Sequence, residues 1–157
     1  MAEKVRIASN ALVYPMPVVL VAAVVEVTPN YMAVAWITRV NYQPPLLGIA
    51  LGKRQYTARG IQAHGEFGVS IPSRDLITVT DYVGLVSGSA VDKSEVFESF
   101  YGSLAHAPMA RACPLTMACG VVQTVELPPS CCFIGEIVEA YAEERILSSG
   151  VPDVQKL

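Results

Sequence analysis

Two short polar segments of the sequence combine positive charge with hydroxyl groups. They are GKRQYT at positions 52–57 and SGSAVDK at positions 87–93. The residues of the two groups are Lys53, Arg54, Thr57, Ser87, Gly88, Asp92 and Lys93. Phosphate binding needs cations for charge and hydroxyl or backbone N–H groups for directed hydrogen bonds, and a helix beginning near Thr57 would add its positive dipole end. The groups therefore predict a phosphate site, although each alone also fits a solvated turn.

An apolar stretch precedes the first polar segment. The run Tyr31–Val40 contains Trp36, Ile37 and Thr38, and the run Leu46–Leu51 ends at a glycine. A flat, mostly apolar ligand with a phosphate tail would suit this arrangement. Two core strands joined by a solvated turn are the competing interpretation.

The sequence contains none of the common hydrolase or nucleotide-binding motifs. It has no GxSxG elbow, no HExxH, no Walker loop and no GxGxxG. The adjacent carboxylates Glu143 and Glu144 lie in a polar stretch and are most simply solvated. We therefore predict no catalytic side chain.

The cysteines are Cys113, Cys119, Cys131 and Cys132, and no pair forms CxxC. With only two histidines to complete a site, the spacing predicts no metal centre. Buried, reduced thiols are expected, with Cys131 and Cys132 on opposite faces of a strand. A redox-active thiol pair is the alternative.

Length and composition predict one domain over residues 1–157. Hydrophobic residues make up 52% and charged residues 16% of the chain, which indicates surface buried against a subunit or a ligand. The net charge of −3 argues against nucleic acid as a partner. The apolar run Val13–Val25 is short and contains two prolines, so we expect no membrane span and a cytoplasmic location.

The pattern of apolar runs and turns predicts a mainly β fold with short helices, in the form of a β-barrel. The first three predicted strands form an antiparallel meander. The predicted strands are Met16–Glu26, Tyr31–Val40, Leu46–Leu51, Glu66–Ile71, Leu115–Leu127 and Cys131–Tyr141. The predicted helices are Thr57–His64 ending at Gly65, Arg74–Val83 with Ser73 as N-cap and Gly84 as its end, and Ser94–Phe100.

Several of these segments together resemble a known family. In chain order they are PMPVVLVAAV, the segment from Asn30 to Thr38, Pro44-Pro45-Leu46, GKRQYT, GEFGVSIPS, DYVGLVSGSAVDK and CFIGEIVEAY. Their order and spacing resemble the flavin reductase-like, FMN-binding split-barrel family, in its flavoredoxin-type branch. The resemblance covers about residues 12 to 145.

The resemblance implies a split β-barrel homodimer that binds FMN noncovalently near the subunit interface. It implies that the flavin ring and ribityl chain lie along the segment from Asn30 to Thr38, and that backbone approaches the flavin closely at Leu51 and Gly52. The implied phosphate contacts are Arg54, Thr57 and Lys93, with Ser87 as a further candidate. The implied cofactor-binding set is Asn30, Ala35, Trp36, Ile37, Thr38, Leu51, Gly52, Arg54, Thr57, Ser87 and Lys93.

Three functional hypotheses follow. The first is an FMN-binding flavoprotein that acts as an NAD(P)H:flavin oxidoreductase, with NADH or NADPH as donor, or that transfers electrons as flavoredoxin does. The second is a non-enzymatic FMN-binding electron carrier that serves a redox protein partner. The third is a barrel without flavin that acts as an interaction module, which the retained GKRQYT and SGSAVDK segments disfavour.

Overall fold

The computed structural model describes residues 2–157, and its centre is a seven-stranded antiparallel sheet. The sheet order is β2-β1-β5-β8-β9-β4-β3. Its strands are β1 (Val19–Val25), β2 (Thr28–Val34), β3 (Ile37–Asn41), β4 (Leu46–Gly52), β5 (Glu66–Ile71), β8 (Leu115–Glu126) and β9 (Ser130–Ala142). The mainly β class with short helices is therefore confirmed, and the arrangement is that of a split barrel.

The predicted strand Tyr31–Val40 is two strands, and this division shapes the whole sheet. The chain leaves β2 at Val34, passes Ala35 and Trp36, and enters β3 at the opposite edge. The backbone N–H of Ala50 donates to the Trp36 carbonyl, so the break itself is bonded to β4. The predicted three-strand meander is wrong, because β4 pairs with β3 and β9 and not with β2.

Strand β1 is buried on both faces because helices or loops cover each side of it. All seven of its residues, VLVAAVV, are buried, which suits an uninterrupted apolar run. Val21 and Ala23 join the barrel interior with Phe67 and Phe133. Leu20 and Ala22 face an outer cluster that includes Tyr31, Val83 and Phe97. The strand is shorter than the predicted Met16–Glu26.

Helix α1 (Tyr56–His64) lies against β1 and agrees with the predicted helix. It ends at Gly65, whose φ of 67° is left-handed and whose N–H donates to the Ile61 carbonyl. A glycine takes this conformation without the steric cost that a Cβ would add.

The second predicted helix begins later and ends later than expected. A 3₁₀ turn covers Arg74–Leu76, and α2 covers Ile77–Leu85, so Gly84 lies inside the helix. Ser73 precedes the 3₁₀ turn, but its side chain forms no capping hydrogen bond. The helix packs on β2, and this packing allows it to continue past Gly84 to Leu85.

The predicted helix Ser94–Phe100 is wrong. Its residues form turns that end in β6 (Ser99–Phe100), which pairs with β7 (Met109–Ala110). Burial of Phe97 beside Tyr31 and the hydrogen bond between Ser99 Oγ and Tyr31 Oη (2.6 Å) favour the extended path over helical hydrogen bonds.

The long hairpin of β8 and β9 confirms the last two predicted strands, and the polar tail follows it. The tail contains a 3₁₀ turn (Glu144–Ile146), the short hairpin of β10 (Leu147–Ser148) and β11 (Val151–Pro152), and a 3₁₀ turn (Val154–Lys156). Within residues 2–157, the helices are all too short or too polar to cross a bilayer.

Candidate functional site

Two adjoining clefts lie where β2, β4, α1 and the loop after α2 meet. The first, which we call the strand cleft, has a volume of about 380 Å³. It is lined by Met32, Ala33, Val34, Ala35, Trp36, Ala50, Leu51, Gly52, Gln55 and Ser130. Most of these residues are apolar and belong to two strands, so the cleft offers a flat apolar wall.

The second cleft, which we call the loop cleft, has a volume of about 180 Å³ and a polar lining. It is lined by Asn30, Met32, Gln55, Tyr56, Thr57, Val83, Gly84, Leu85, Val86, Ser87, Gly88 and Lys93. Met32 and Gln55 line both clefts, so an apolar site continues directly into a polar one.

Lys93 supplies a buried cation to the loop cleft. Only 3% of its surface is exposed, and its Nζ donates to the carbonyls of Tyr31 (2.8 Å) and Val83 (2.9 Å). Burial lowers the pKa of this ammonium below the usual lysine value. None of the ion pairs among residues 2–157 includes Lys93, so the charge lacks an acidic partner. An anionic ligand in the loop cleft would provide one.

Asn30 and Thr57 form a buried hydrogen-bonded pair beside this cation. Asn30 Nδ2 donates to Thr57 Oγ1 at 2.7 Å, and both side chains are buried. The hydroxyl hydrogen of Thr57 is then free to donate to a ligand, because a hydroxyl group can accept and donate at once.

The N-terminus of α1 also faces the loop cleft. Tyr56 and Thr57 are its first two residues, and both line the cleft. Gln55, at the N-cap position, makes no side-chain capping bond, and the first turn carries no acidic residue. Unsatisfied N–H groups and the positive dipole end suit an anion there.

The loop cleft brings together three of the four predicted phosphate contacts. Thr57, Ser87 and Lys93 line it, whereas Arg54 lines neither the strand cleft nor the loop cleft and has an exposed side chain. Ser87 is exposed, and its Oγ lies 2.8 Å from that of Ser89. The role of Arg54 stays a prediction.

Lys53, the other cation of GKRQYT, lines neither the strand cleft nor the loop cleft. Its Nζ lies 2.5 Å from Glu126 Oε2, so its charge already has a partner. Lys53 is thus ion-paired with Glu126 of β8, whereas the neighbouring Arg54 is exposed to solvent.

The predicted ring-contact residues lie on two sides of Trp36. Ala35, Trp36, Leu51 and Gly52 line the strand cleft. On its other side lies an apolar cleft of about 610 Å³, which we call the outer cleft. Ile37 and Thr38 line only this outer cleft, together with Ala35, Trp36, Val13, Pro15, Met16, Pro17, Val40, Gly48, Ile49, Ala50 and Cys132. Trp36, with 54% of its surface exposed, separates the two clefts.

Gln55 and Gly88 line the site but are absent from the implied cofactor-binding set, although Gly88 belongs to the second polar group of the sequence. Gln55 Oε1 accepts the Gly52 N–H at 2.8 Å, which positions the side chain at the junction of the strand and loop clefts. Gly88 brings its backbone against Asn30. Both lie inside the GKRQYT and SGSAVDK segments, so their positions next to the predicted cations were the available signal. Met32 lies in the segment from Asn30 to Thr38 that the resemblance places along the flavin, whereas no sequence signal pointed to Ser130.

The arrangement can hold a flat apolar group in the strand cleft and an anion in the loop cleft. It offers no carboxylate or imidazole as proton donor or acceptor in either lining. These side chains can therefore bind and orient a ligand.

Comparison with known proteins identifies the family. The family model described as "Flavin reductase like domain" matches residues 11–151. The chain thus belongs to the family of flavin reductase-like domains, as the sequence motifs predict.

Two solved flavoredoxins resemble the chain along nearly its whole length. The flavoredoxin of Methanosarcina acetivorans is 48% identical with a TM-score of 0.96, and the match covers 99% of this chain and 83% of that one. The flavoredoxin of Desulfovibrio vulgaris (Miyazaki F) is 34% identical with a TM-score of 0.90, covering 98% and 85%. An uncharacterized protein of Archaeoglobus fulgidus is 30% identical, covering 90% of this chain and 80% of that protein.

Proposed function

We propose that this protein binds FMN, with the isoalloxazine ring in the strand cleft and the phosphate in the loop cleft. The observation that carries the proposal is the buried ammonium of Lys93, which lacks an acidic partner and lies in a polar cleft continuous with an apolar one. A buried charge is costly unless it is paired, and a ligand phosphate would pair it. The likeness to two flavoredoxins supports a flavin as the ligand.

The residues have separate roles in this proposal. Trp36 and the β4 backbone near Leu51 cover the ring, and Gln55 reaches the polar chain that joins ring to phosphate. Lys93, Thr57 and the N-terminus of α1 hold the phosphate. FMN supplies the redox chemistry when bound, and these side chains bind it, orient it and exclude water from one face.

The proposed activity is electron transfer through the bound flavin, as an NAD(P)H:flavin oxidoreductase or by delivery to a protein acceptor. The alternative is an electron carrier that is reduced only by another redox protein. Anaerobic mixing of the FMN-loaded protein with NADH and with NADPH distinguishes them. Rapid loss of the oxidised flavin absorbance supports a reductase, and its absence with both donors supports the carrier.

We further propose a homodimer. The outer cleft is open and apolar, and Trp36 and Val40 remain exposed beside it. Monomeric proteins rarely leave such a contiguous apolar area uncovered. A second copy of the chain on this face would cover Trp36 on the side opposite the strand cleft.

A further inference from the structure

The chain before β1 contains a segment without regular structure, which we call the N-terminal arm (residues 2–15). Every residue of the arm is exposed, and none of them lies in a helix or strand. No backbone hydrogen bond joins the arm to the rest of the described chain. Its large apolar side chains are uncovered, with 71% to 84% of the surface exposed for Val5, Ile7, Val13 and Tyr14. The arm therefore lacks apolar cover within its own copy of the chain.

A groove along α2 is a second uncovered apolar surface. This space, which we call the α2 groove, has a volume of about 480 Å³. Val18, Ala33, Pro72 and Ile77 supply its apolar lining. Val18 is 52% exposed and Ile77 is 62% exposed. Side chains of this kind gathered along one groove indicate a surface that a partner covers.

The α2 groove adjoins the outer cleft, on which we propose the dimer. Val13 and Pro17 line the outer cleft, and the next residue, Val18, lines the α2 groove. The chain thus runs from one space directly to the other as the arm joins β1. An extended segment of residues 2–12 spans up to about 35 Å. The arm of a second copy bound at the outer cleft is therefore long enough to enter the groove.

The charges of the arm complement those of the groove. Arg74 and Asp81 line the groove, and seven positions along a helix span about 10 Å. Glu3 and Arg6 are three positions apart, which is also about 10 Å in an extended chain. None of these four residues takes part in an ion pair between residues 2–157. Each charge of the groove can therefore meet an opposite charge of the arm.

The apolar residues of the arm have the spacing of an extended segment with one apolar face. Val5 and Ile7 alternate with Lys4 and Arg6. In an extended chain, alternate side chains point to the same side. Val5 and Ile7 can therefore pack together on a groove while the basic residues stay at its rim.

We propose that the N-terminal arm of one copy lies in the α2 groove of a second copy, and that the two copies exchange arms. The inference rests on the proposed homodimer and adds the segment that joins its two chains. Val5 and Ile7 pack against Ile77, and the charges of the arm face those of opposite sign in the groove. Twofold symmetry repeats the contact, so each arm and each groove is covered once.

The test is disulfide cross-linking between two differently tagged chains that are co-expressed and purified through both tags. One chain carries Val5→Cys and the other Ile77→Cys, each with Cys132→Ser, so that the remaining native thiols are buried. Oxidation with copper phenanthroline should give a product of two chains on a non-reducing gel. Val27→Cys at the exposed β1–β2 turn replaces Ile77→Cys in the control pair and should give at least about fivefold less product.

A single chain that carries both Val5→Cys and Ile77→Cys shows whether the arm crosses between copies. We expect disulfides between chains, and a disulfide within one chain would overturn the inference, because the arm would then fold back on its own groove. Mass spectrometry of the oxidised peptides after mixing light and isotopically heavy chains before folding distinguishes the two cases.

A charge in the arm provides a second measurement that needs no cysteine. Ile7→Asp should raise the dissociation constant of the dimer about tenfold in sedimentation equilibrium, because it places a charge in an apolar contact. Ser9→Asp adds the same charge at a polar position of the arm and should leave the constant unchanged. Both positions are exposed, so neither change disturbs the folded core.

The outcomes separate the arm from the dimer itself. Cross-linking no greater than in the Val27→Cys pair, or an Ile7→Asp protein as dimeric as the wild type, would overturn the arm exchange and leave the dimer at the outer cleft standing. A monomeric wild type would overturn both.

Discussion

At the scale of single residues, the site is defined by which cations are already paired. Lys53 is paired with Glu126, Arg54 extends into solvent, and Lys93 is buried against two carbonyls. The sequence alone could group these residues by charge and spacing. It could not rank them, because the pairing of Lys53 depends on β8, which lies far along the chain.

The phosphate assignment predicts that Lys93→Met weakens FMN and leaves riboflavin unaffected. Loss of a charge-assisted hydrogen bond, about 1.5–3 kcal/mol, corresponds to about 10- to 150-fold in affinity. Riboflavin lacks the phosphate and serves as the control ligand. Lys53→Met is the matched control variant, since its partner is Glu126 and not the ligand. An equal loss for both ligands in Lys93→Met would contradict the assignment.

The lowered pKa of Lys93 predicts a pH dependence of the same contact. Only the protonated ammonium pairs with phosphate, and burial makes it lose its proton at a lower pH than an ordinary lysine. FMN affinity should therefore fall as pH rises through this pKa. The measurement is a titration with FMN and with riboflavin at several pH values. Ionisation of the flavin ring affects both ligands equally, so the difference between the two profiles reports the contact of Lys93 with the phosphate. Parallel pH profiles for the two ligands would count against it.

The four thiols should differ in reactivity. Burial raises the pKa of Cys113 and Cys119 to about 12, and that of Cys131 to about 11 with the aid of Glu126. Cys132 is half-buried on the opposite face of its strand and lines the outer cleft. Alkylation of the native protein followed by peptide mass spectrometry should modify Cys132 first. Early modification of Cys113 or Cys119 would show that their burial is incomplete.

At the scale of elements, α1 is positioned by its close approach to β1. A Cβ at Gly60 would lie 2.3 Å from the Val24 carbonyl oxygen. A glycine inside a helix is unfavourable on propensity alone, yet α1 forms because its packing on β1 requires a residue without a side chain at position 60. Packing of this kind joins elements distant in sequence, so local patterns do not reveal it.

Gly60→Ala should therefore destabilise the protein although alanine favours helices. Overpacking of a filled contact costs about 1–3 kcal/mol, whereas the propensity gain is about 1 kcal/mol. Urea denaturation measures the free energy of unfolding. Gly120→Ala is the control, since its Cβ would meet only an ordinary contact at 3.9 Å from Val138. A Gly60→Ala variant more stable than wild type would contradict the packing described.

At the scale of the whole molecule, the sequence predicted the class of fold and most strands but not their neighbours. Alternation and turns locate β4, β5, β8 and β9 because those signals are local. The division of the predicted strand Tyr31–Val40 at Ala35 and Trp36 occurs where the chain passes from one edge of the sheet to the other, which no local signal records. Ala35 and Trp36 line the strand cleft, so the motif order predicts the ligand segments and the fold supplies their geometry.

The proposed dimer predicts a mass of two chains in sedimentation equilibrium. Val40→Arg places a charge in the outer cleft and should shift the protein toward the monomer. Val27→Arg, a similar change at the exposed β1–β2 turn, should leave the mass unchanged. A wild-type monomer at micromolar concentration would refute the dimer.

The most direct test of the central claim is a titration of the purified, flavin-free protein with FMN and with riboflavin. We expect saturable binding of one FMN per chain, and riboflavin binding at least about tenfold weaker because riboflavin lacks the phosphate that pairs with Lys93. No FMN binding, or equal affinity for the two ligands, would contradict it.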